Sequence, residues 1–104
     1  MPDAFTLVHR ASIILLAARN NVPAVYYEAF FARDGGLLGY GADRGDIFRR
    51  AAPYVDRILR GTKPAELPVQ QPIHFTMGLN AKTAKALGLA IPSSILLRAD
   101  EVIE

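Results

Sequence analysis

The stretch Gly35-Gly36-Leu37-Leu38-Gly39-Tyr40-Gly41-Ala42-Asp43 decides how the rest of this chain is organised. It contains four of the eight glycines, and an amphipathic helical pattern begins directly after it. A glycine within a strand costs about 0.5–1 kcal/mol relative to alanine, so it is used where the backbone approaches another group closely or where φ must be positive. The stretch therefore predicts a strand, a glycine turn and a helix N-terminus at which Asp43 is the N-cap.

This junction has two interpretations that the local sequence leaves open. In open α/β sheets ligands bind at the carboxyl ends of the strands, which favours a loop that faces a ligand. The same residues also fit a plain tight turn that contacts nothing but its own chain.

Composition excludes several classes of protein. The 104 residues are 51% hydrophobic and 21% charged, which is typical of one globular domain, and the net charge of +2 gives no reason to expect nucleic-acid binding. Because cysteine is absent, disulfides, thiolate metal sites and cysteine nucleophiles are excluded.

The longest apolar run, residues 13–18, is far short of the ~20 residues that span a membrane. Residues 1–18 only faintly resemble an export signal, since Asp3 lies where such signals are basic.

Upstream of the glycine stretch the pattern predicts a helix, a strand and a short helix. Thr6 can cap a helix that ends at Asn20-Asn21, where asparagine tolerates the left-handed cap conformation. Residues 22–26 are predicted to be a buried strand, and residues 28–33 one or two helical turns.

Downstream, an amphipathic helix is predicted over 44–60, closed by Gly61, with a kink or break near Ala51-Ala52 because Pro53 lies inside it. The remaining predicted elements are a strand over 73–79, a helix over 81–87 capped by Asn80, a short helix over 93–99 and a tail over 100–104.

Helices that alternate with strands predict an α/β fold with a mostly parallel sheet flanked by helices. The chain opens on a helix and supplies only three predicted strands, whereas sheets usually have ~4–6. We therefore expect residues 1–104 to be a single partial domain.

A series of motifs along the whole chain resembles a known family. They are Pro2-Asp3-x-Phe5-Thr6-x-x-His9-Arg10, Leu16-Ala17-Ala18-Arg19, Val22-Pro23-Ala24-Val25-Tyr26, Gly35-Gly36-Leu37-Leu38-x-Tyr40-Gly41, the run from Tyr54-Val55-Asp56 to Leu67-Pro68-Val69-Gln70, Lys82-Thr83-Ala84-Lys85-Ala86-Leu87-Gly88-Leu89 and Ala99-Asp100-Glu101-Val102-Ile103-Glu104. In this order they resemble the C-terminal third of a bacterial ABC transporter substrate-binding protein of the uncharacterised-transport family, which has a type I periplasmic binding protein fold.

The resemblance implies two lobes that close around a small ligand by a hinge motion. This chain would be the end of the second lobe, the crossing between the lobes at the glycine strand, and the closing elements. It also implies a periplasmic protein that works with an ABC permease. No export signal is predicted in this chain, so it would be cytoplasmic if Met1 is the natural start.

The resemblance further implies which residues contact the ligand, all of them near strand ends or helix N-termini. They are Asp3, Phe5, Thr6, Tyr26, Tyr27, Tyr40, Gly41 and Asp43. Each also has a structural interpretation: capping for Thr6 and Asp43, sheet-edge packing for Tyr26 and Tyr40, and simple exposure for Tyr27. Departures from the family pattern, namely Pro53, Gly39 and the run 74–80, in which Gly78 weakens the strand, leave independent ligand binding open.

Nothing in the sequence predicts an enzyme, since it contains no nucleophile elbow, Walker loop or metal-ligand spacing. No cofactor and no metal are expected. We expect the solute-binding component of an ABC transporter, with an amino acid, another small carboxylate or a sugar as its ligand. The alternative is a truncated remnant without transport activity, which self-associates into a homodimer because its missing strands leave apolar surface exposed.

Overall fold

Six α-helices and four strands follow one another along residues 3–104, the part of the chain that this computed structural model describes. In chain order they are α1 (Ala4–Val8), α2 (Arg10–Arg19), β1 (Val25–Tyr26), α3 (Phe30–Arg33), β2 (Leu38–Ala42), α4 (Arg44–Leu59), β3 (Phe75–Asn80), α5 (Ala81–Ala86), α6 (Ser93–Arg98) and β4 (Glu101–Ile103). A 3-10 turn, Pro64–Glu66, lies between α4 and β3.

The four strands form one sheet in the order β1-β2-β3-β4. Strands β1 and β2 are parallel, and so are β3 and β4. The central strands β2 and β3 are antiparallel. The Asn80 amide donates to the Leu37 carbonyl, and the Asp43 amide donates to the His74 carbonyl. Residue numbers therefore fall along β3 as they rise along β2. The predicted α/β class with a mostly parallel sheet is therefore confirmed.

The chain divides into two compact units. The first contains residues 3–41 and 76–104 of the described chain and holds the apolar core, which consists of Ile14, Phe31, Ala32, Leu79 and Ala84. The second contains residues 42–75, none of which is buried. Met1 and Pro2 lie outside the described residues, and with Pro2 the first residue of the first family motif.

Glycines on the two central strands allow a loop of the first unit to lie directly against the sheet. A Cβ added at Gly39 would lie 1.9 Å from the Glu28 carbonyl oxygen, and one at Gly78 would lie 2.6 Å from the Ala29 carbonyl oxygen. From the sequence alone, Gly78 is expected only to weaken its strand. The structure shows instead that no other residue fits there without moving the backbone of the loop.

Helix boundaries at the N-terminus differ from those predicted. Asp3, not Thr6, is the N-cap, since its carboxylate Oδ1 accepts from the Thr6 amide at 2.6 Å. The single predicted helix is two, α1 and α2, which meet at His9. The predicted end is confirmed, because Asn21 has a left-handed φ of 51°.

Helix α4 runs without interruption through Pro53, so of the kink or break predicted near Ala51-Ala52 the break is wrong, and the kink stays a prediction. Proline removes one backbone hydrogen bond from the helix interior. Contacts on both sides of Pro53 hold the helix to the segment that returns towards β3. Arg50 donates to the Gln71 carbonyl and to the Gln70 side chain, and the Tyr54 hydroxyl donates to the Pro68 carbonyl.

The predicted tail is wrong for residues Glu101–Ile103, which form β4. The Asp100 amide donates to the Met77 carbonyl at 2.9 Å, and the Asp100 carboxylate accepts from the Met77 amide at 2.8 Å. Arg33 then binds both carboxylate oxygens of Glu101 through its Nε, at 2.9 and 2.8 Å. Strand β4 has only three residues, and its partners Met77 and Arg33 are distant in sequence. The local sequence pattern therefore does not predict it.

Replacing Gly39 by alanine is expected to destabilise the protein by about 2–3 kcal/mol, because the new Cβ overpacks against the Glu28 carbonyl, which belongs to backbone and cannot rotate away. The measurement is the free energy of unfolding in urea. Gly45→Ala is the control, since its Cβ would approach nothing closer than the Asp43 carboxylate at 3.3 Å. Equal stability of the Gly39 and Gly45 variants would contradict the close approach.

The Arg33–Glu101 pair predicts how stability changes with acid. The hydrogen bond from Arg33 lowers the pKa of Glu101 below its ordinary value of 4.5. The pair therefore stabilises the fold above pH 4.5, and this stabilisation is lost as the pH falls through the lowered folded-state pKa. Stability measured against pH should show this loss in the wild type and a smaller one in Glu101→Gln; identical profiles would contradict it.

Candidate functional site

The carboxyl ends of β1 and β2 lie at the same edge of the sheet, because the two strands are parallel. The register pairs Tyr26 with Gly39, so the residues that follow β1 lie beside the last residues of β2. A Cβ added at Gly41 would lie 1.9 Å from the Tyr27 carbonyl oxygen. The structure thus brings together three of the predicted ligand contacts: Tyr26, Tyr27 and Gly41.

The glycines at this edge face the chain's own backbone. Residues 27–29, which we call the edge segment, lie on the surface that Gly39, Gly41 and Gly78 leave free of side chains. Of the two interpretations of the glycine stretch, close packing within the chain accounts for these positions directly. Gly41 has only backbone groups to offer a ligand. The Tyr27 carbonyl oxygen occupies the space that a side chain at this position would need.

Four aromatic rings in and next to the edge segment pack together, and the fully buried Phe31 contacts the other three. Phe31 stacks on Tyr26 with ring centroids 5.0 Å apart and on Phe30 at 4.8 Å. The Tyr27 ring meets it edge-on, at 5.0 Å and 60°. Such pairs contribute about 0.5–1.5 kcal/mol each beyond the area they bury. The Tyr27 ring is therefore held in place before any ligand arrives.

Tyr26 points into the first unit. A Cβ added at Gly36 would lie 2.7 Å from its ring, and it lines a cavity of about 10 Å³ together with Ile14 and Thr83. Such a space holds at most about one water molecule. Burial raises the pKa of the Tyr26 phenol above its ordinary value of 10.0. Its position agrees with the packing interpretation, while its role as a ligand contact stays a prediction.

Asp3, Phe5 and Thr6 form a separate group at the start of α1. The hydrogen bond from the Thr6 amide lowers the pKa of Asp3 and already uses one of the free N–H groups that an anionic ligand would need. Phe5 is exposed and stacks on His9 with centroids 4.3 Å apart. Capping and local stacking are thus what these residues do in the structure.

Arg10 connects α1 to the aromatic rings. Its guanidinium donates to the Leu7 carbonyl at 3.0 Å and to the Asp34 carboxylate at 2.8 Å, and it lies 5.8 Å from the centre of the Phe30 ring. The sequence did not predict this residue as part of the site. The sequence feature that could have indicated Arg10 is its position in the first family motif, next to His9.

Tyr40 and Asp43 end up in different surroundings. Tyr40 lies in β2 with 48% of its surface exposed. Asp43 belongs to the second unit, where its carboxylate accepts from the Asp46 amide at 3.1 Å and caps α4 as predicted.

Asn80 is a second residue whose importance sequence reasoning understated. It was predicted as the cap of α5, which is confirmed by its acceptance of the Thr83 amide at 3.1 Å. Asn80 is also buried and donates to the Ala32 carbonyl at 2.8 Å, while the Thr83 hydroxyl donates to the Gly35 carbonyl at 2.8 Å. These bonds fix the turn that leads from α3 into β2, and so they support the edge.

Two larger cavities lie away from the predicted contacts. One, about 390 Å³, is lined in the first unit by Ala81, Lys82, Ala84, Lys85, Leu89, Ile91 and Glu104. The other, about 210 Å³, lies in the second unit between α4 and residues 70–72. Neither is lined by any of the eight candidate residues.

Comparison with known proteins identifies the family. Residues 4–103 match the family model described as ABC transporter substrate binding protein, and the chain therefore belongs to that family. No protein of curated function matches the chain. The resemblance drawn from the motifs is confirmed, and the family is one of binding and transport proteins.

Two solved structures share the fold. A conserved domain protein from Vibrio cholerae O1 biovar El Tor has a TM-score of 0.90 at 27% identity, over 96% of this chain and 34% of that one. An ABC domain from Streptococcus pneumoniae, in complex with L-Trp, has a TM-score of 0.85 at 26% identity, over 97% of this chain and 35% of that one. This chain thus spans about a third of the length of each. No helix among the described residues is both long and apolar enough to cross a membrane.

The position of Tyr26 can be tested by spectrophotometric titration of the four tyrosines. Because burial disfavours its phenolate, Tyr26 should ionise above pH 10.0, and Tyr26→Phe should reduce the absorbance change above that pH. The titration must stay below the pH at which circular dichroism shows unfolding. An unchanged absorbance change above pH 10.0 in Tyr26→Phe would contradict the inward position of this ring.

Proposed function

We propose that this chain contributes to the binding of a small solute for uptake by an ABC transporter, and that the edge segment is its part of the ligand site. The observation that carries the proposal is the meeting of Tyr27 with Gly41 at the carboxyl ends of two parallel strands, in a chain that belongs to a substrate-binding family. Ligands of α/β sheets bind at such ends.

The chemistry of the edge favours a ligand with an aromatic or flat apolar part. Phe31 holds the Tyr27 ring edge-on, so the ring is a preformed surface on which a second ring can stack. Gly41 has only backbone groups to offer, and these can bind the polar part of a ligand. The Streptococcus relative binds L-Trp, which makes aromatic amino acids the first ligands to test.

The family gives the proposal its partners. A substrate-binding protein delivers its solute to an ABC permease, and the family suggests the periplasm as the place of delivery. We propose that setting and that partner for this chain, with Asp3, Phe5, Thr6, Tyr40 and Asp43 as further ligand contacts.

Titration of the chain with L-Trp by isothermal calorimetry is the direct test. We expect saturable binding that is weakened about threefold to tenfold in Tyr27→Ala, because a stacked aromatic pair contributes about 0.5–1.5 kcal/mol. Tyr27→Phe keeps the ring and should bind nearly as the wild type does.

Leu97→Ala is the matched control, because Leu97 is an exposed apolar residue of α6 that takes no part in the edge. Circular dichroism checks that each variant is folded. The proposal is wrong if neither L-Trp nor a panel of amino acids, small carboxylates and sugars binds saturably, or if Tyr27→Ala binds as tightly as the wild type.

A further inference from the structure

Asp34-Gly35 is the one place in the sequence where an aspartate or asparagine precedes a glycine. The amide nitrogen of the residue after an aspartate can attack the side-chain carboxyl carbon, which closes a five-membered ring. Glycine makes this attack easiest, because it has no Cβ beside the attacking nitrogen and its backbone rotates freely. Asp34 is therefore the aspartate of this chain whose local sequence most favours such a rearrangement.

The fold requires a glycine after Asp34. Helix α3 ends at Asp34, and Gly35 has a left-handed φ of 107°. The Gly35 amide donates to the Ala32 carbonyl at 3.2 Å and the Gly36 amide to the Phe31 carbonyl at 2.8 Å, which is the usual way for a helix to end on a glycine. The residue that ends α3 thus also leaves Asp34 next to the most reactive kind of neighbour.

The folded backbone opposes the attack. Asp34 has a ψ of 4°, which turns the Gly35 nitrogen towards the amide nitrogen of Asp34 and away from its side chain. Ring closure needs a large rotation about this bond, and that rotation would break the bonds from Gly35 and Gly36 to the end of α3. The Thr83 hydroxyl also holds the Gly35 carbonyl, at 2.8 Å. Attack therefore requires the turn to open.

Arg10 holds the carboxylate that would be attacked. Its Nε donates to Oδ2 of Asp34 at 2.8 Å, and the guanidinium is itself fixed by the Leu7 carbonyl at 3.0 Å and by the Phe30 ring at 5.8 Å. The side chain of Asp34 is thus held by a residue of α2. All of these contacts lie within the first unit, and they hold the turn whatever covers the rest of its surface.

We propose that Asp34 is a site of isoaspartate formation, and that the end of α3 together with Arg10 keeps the reaction slow in the folded chain. The Gly35 nitrogen bonds to Cγ of the protonated carboxyl, and the amide proton leaves with the carboxyl hydroxyl as water. Water then adds to one of the two carbonyls of the resulting succinimide. Addition at Cγ restores aspartate, whereas addition at the backbone carbonyl breaks its bond to nitrogen and leaves the chain running through Cγ. Water is the only other reactant.

The rearrangement would damage the turn that leads into β2. An isoaspartate adds one carbon to the backbone between Asp34 and Gly35. This shifts Gly35 and Gly36 relative to α3, so their bonds to Ala32 and Phe31 cannot both be kept. We therefore expect the rearranged chain to be less stable than the original. This inference is independent of the proposed solute binding.

The test is incubation of the wild type at one pH and temperature, with and without guanidinium chloride, followed by peptide mapping. Mass spectrometry with electron-transfer fragmentation distinguishes aspartate from isoaspartate at each position. In the unfolded chain we expect isoaspartate to form faster at Asp34 than at any other aspartate. In the folded chain, checked by circular dichroism, we expect the rate at Asp34 to be about tenfold lower, because the attack waits for local opening.

Arg10→Ala tests the part played by the ion pair. We expect it to raise the rate at Asp34 in the folded chain about threefold, in keeping with the strength of one surface pair. Glu101→Gln is the matched control, since it removes the Arg33–Glu101 pair from the same unit without touching Asp34, and it should leave the rate unchanged.

Three results would overturn the proposal. One is a rate at Asp34 in the unfolded chain no higher than at the other aspartates. Another is an equal rate in the folded and the unfolded wild type, a comparison that needs no substitution. The third is an equal effect of Arg10→Ala and Glu101→Gln in folded chains.

Discussion

The close approach of residues 27–29 to the glycine positions of β2 and β3 is the constraint on which the first unit depends. The Glu28 carbonyl occupies the space of a side chain at Gly39, and the Ala29 carbonyl does so at Gly78. Because these contacts fix the position of the loop, Phe31 lies in the core and Tyr27 lies at the edge of the sheet. Gly78 is buried for the same reason, since the Ala29 carbonyl lies where its side chain would be. The site and the core are thus consequences of one backbone contact.

Polar bonds hold this arrangement from its two ends. Asn80 and Thr83 bind the carbonyls of Ala32 and Gly35, which fixes the turn after α3. Arg10 binds Asp34 and lies against Phe30 on the other side. Because a buried polar group must be satisfied, Asn80 specifies where α3 ends as much as it caps α5. The second unit has no comparable centre, since none of residues 42–75 is buried.

Local chemistry in the sequence predicts most of the helices and their caps. Asp43, Asn80 and Gly61 act within one turn of themselves, so their residue types were enough to place them. Long-range partners were not predictable in this way. Nothing near Glu101 indicates that Arg33 binds it, and nothing near Gly78 indicates that Ala29 lies on it. For the site, the sequence indicated the edge and its tyrosines, but the inward position of Tyr26 depends on Gly36 and Phe31, which only the fold brings to it.

The central claim is that a ligand binds where the edge segment lies on the glycines. Amide chemical shifts of the isotopically labelled chain, followed by NMR during titration with L-Trp, test it most directly. The account predicts that the largest changes fall on residues 26–29 and 39–41, with saturation at one common dissociation constant. Changes confined to residues of the α4 cavity, such as Ile47 and Gln71, would contradict the account, and so would the absence of any saturable change.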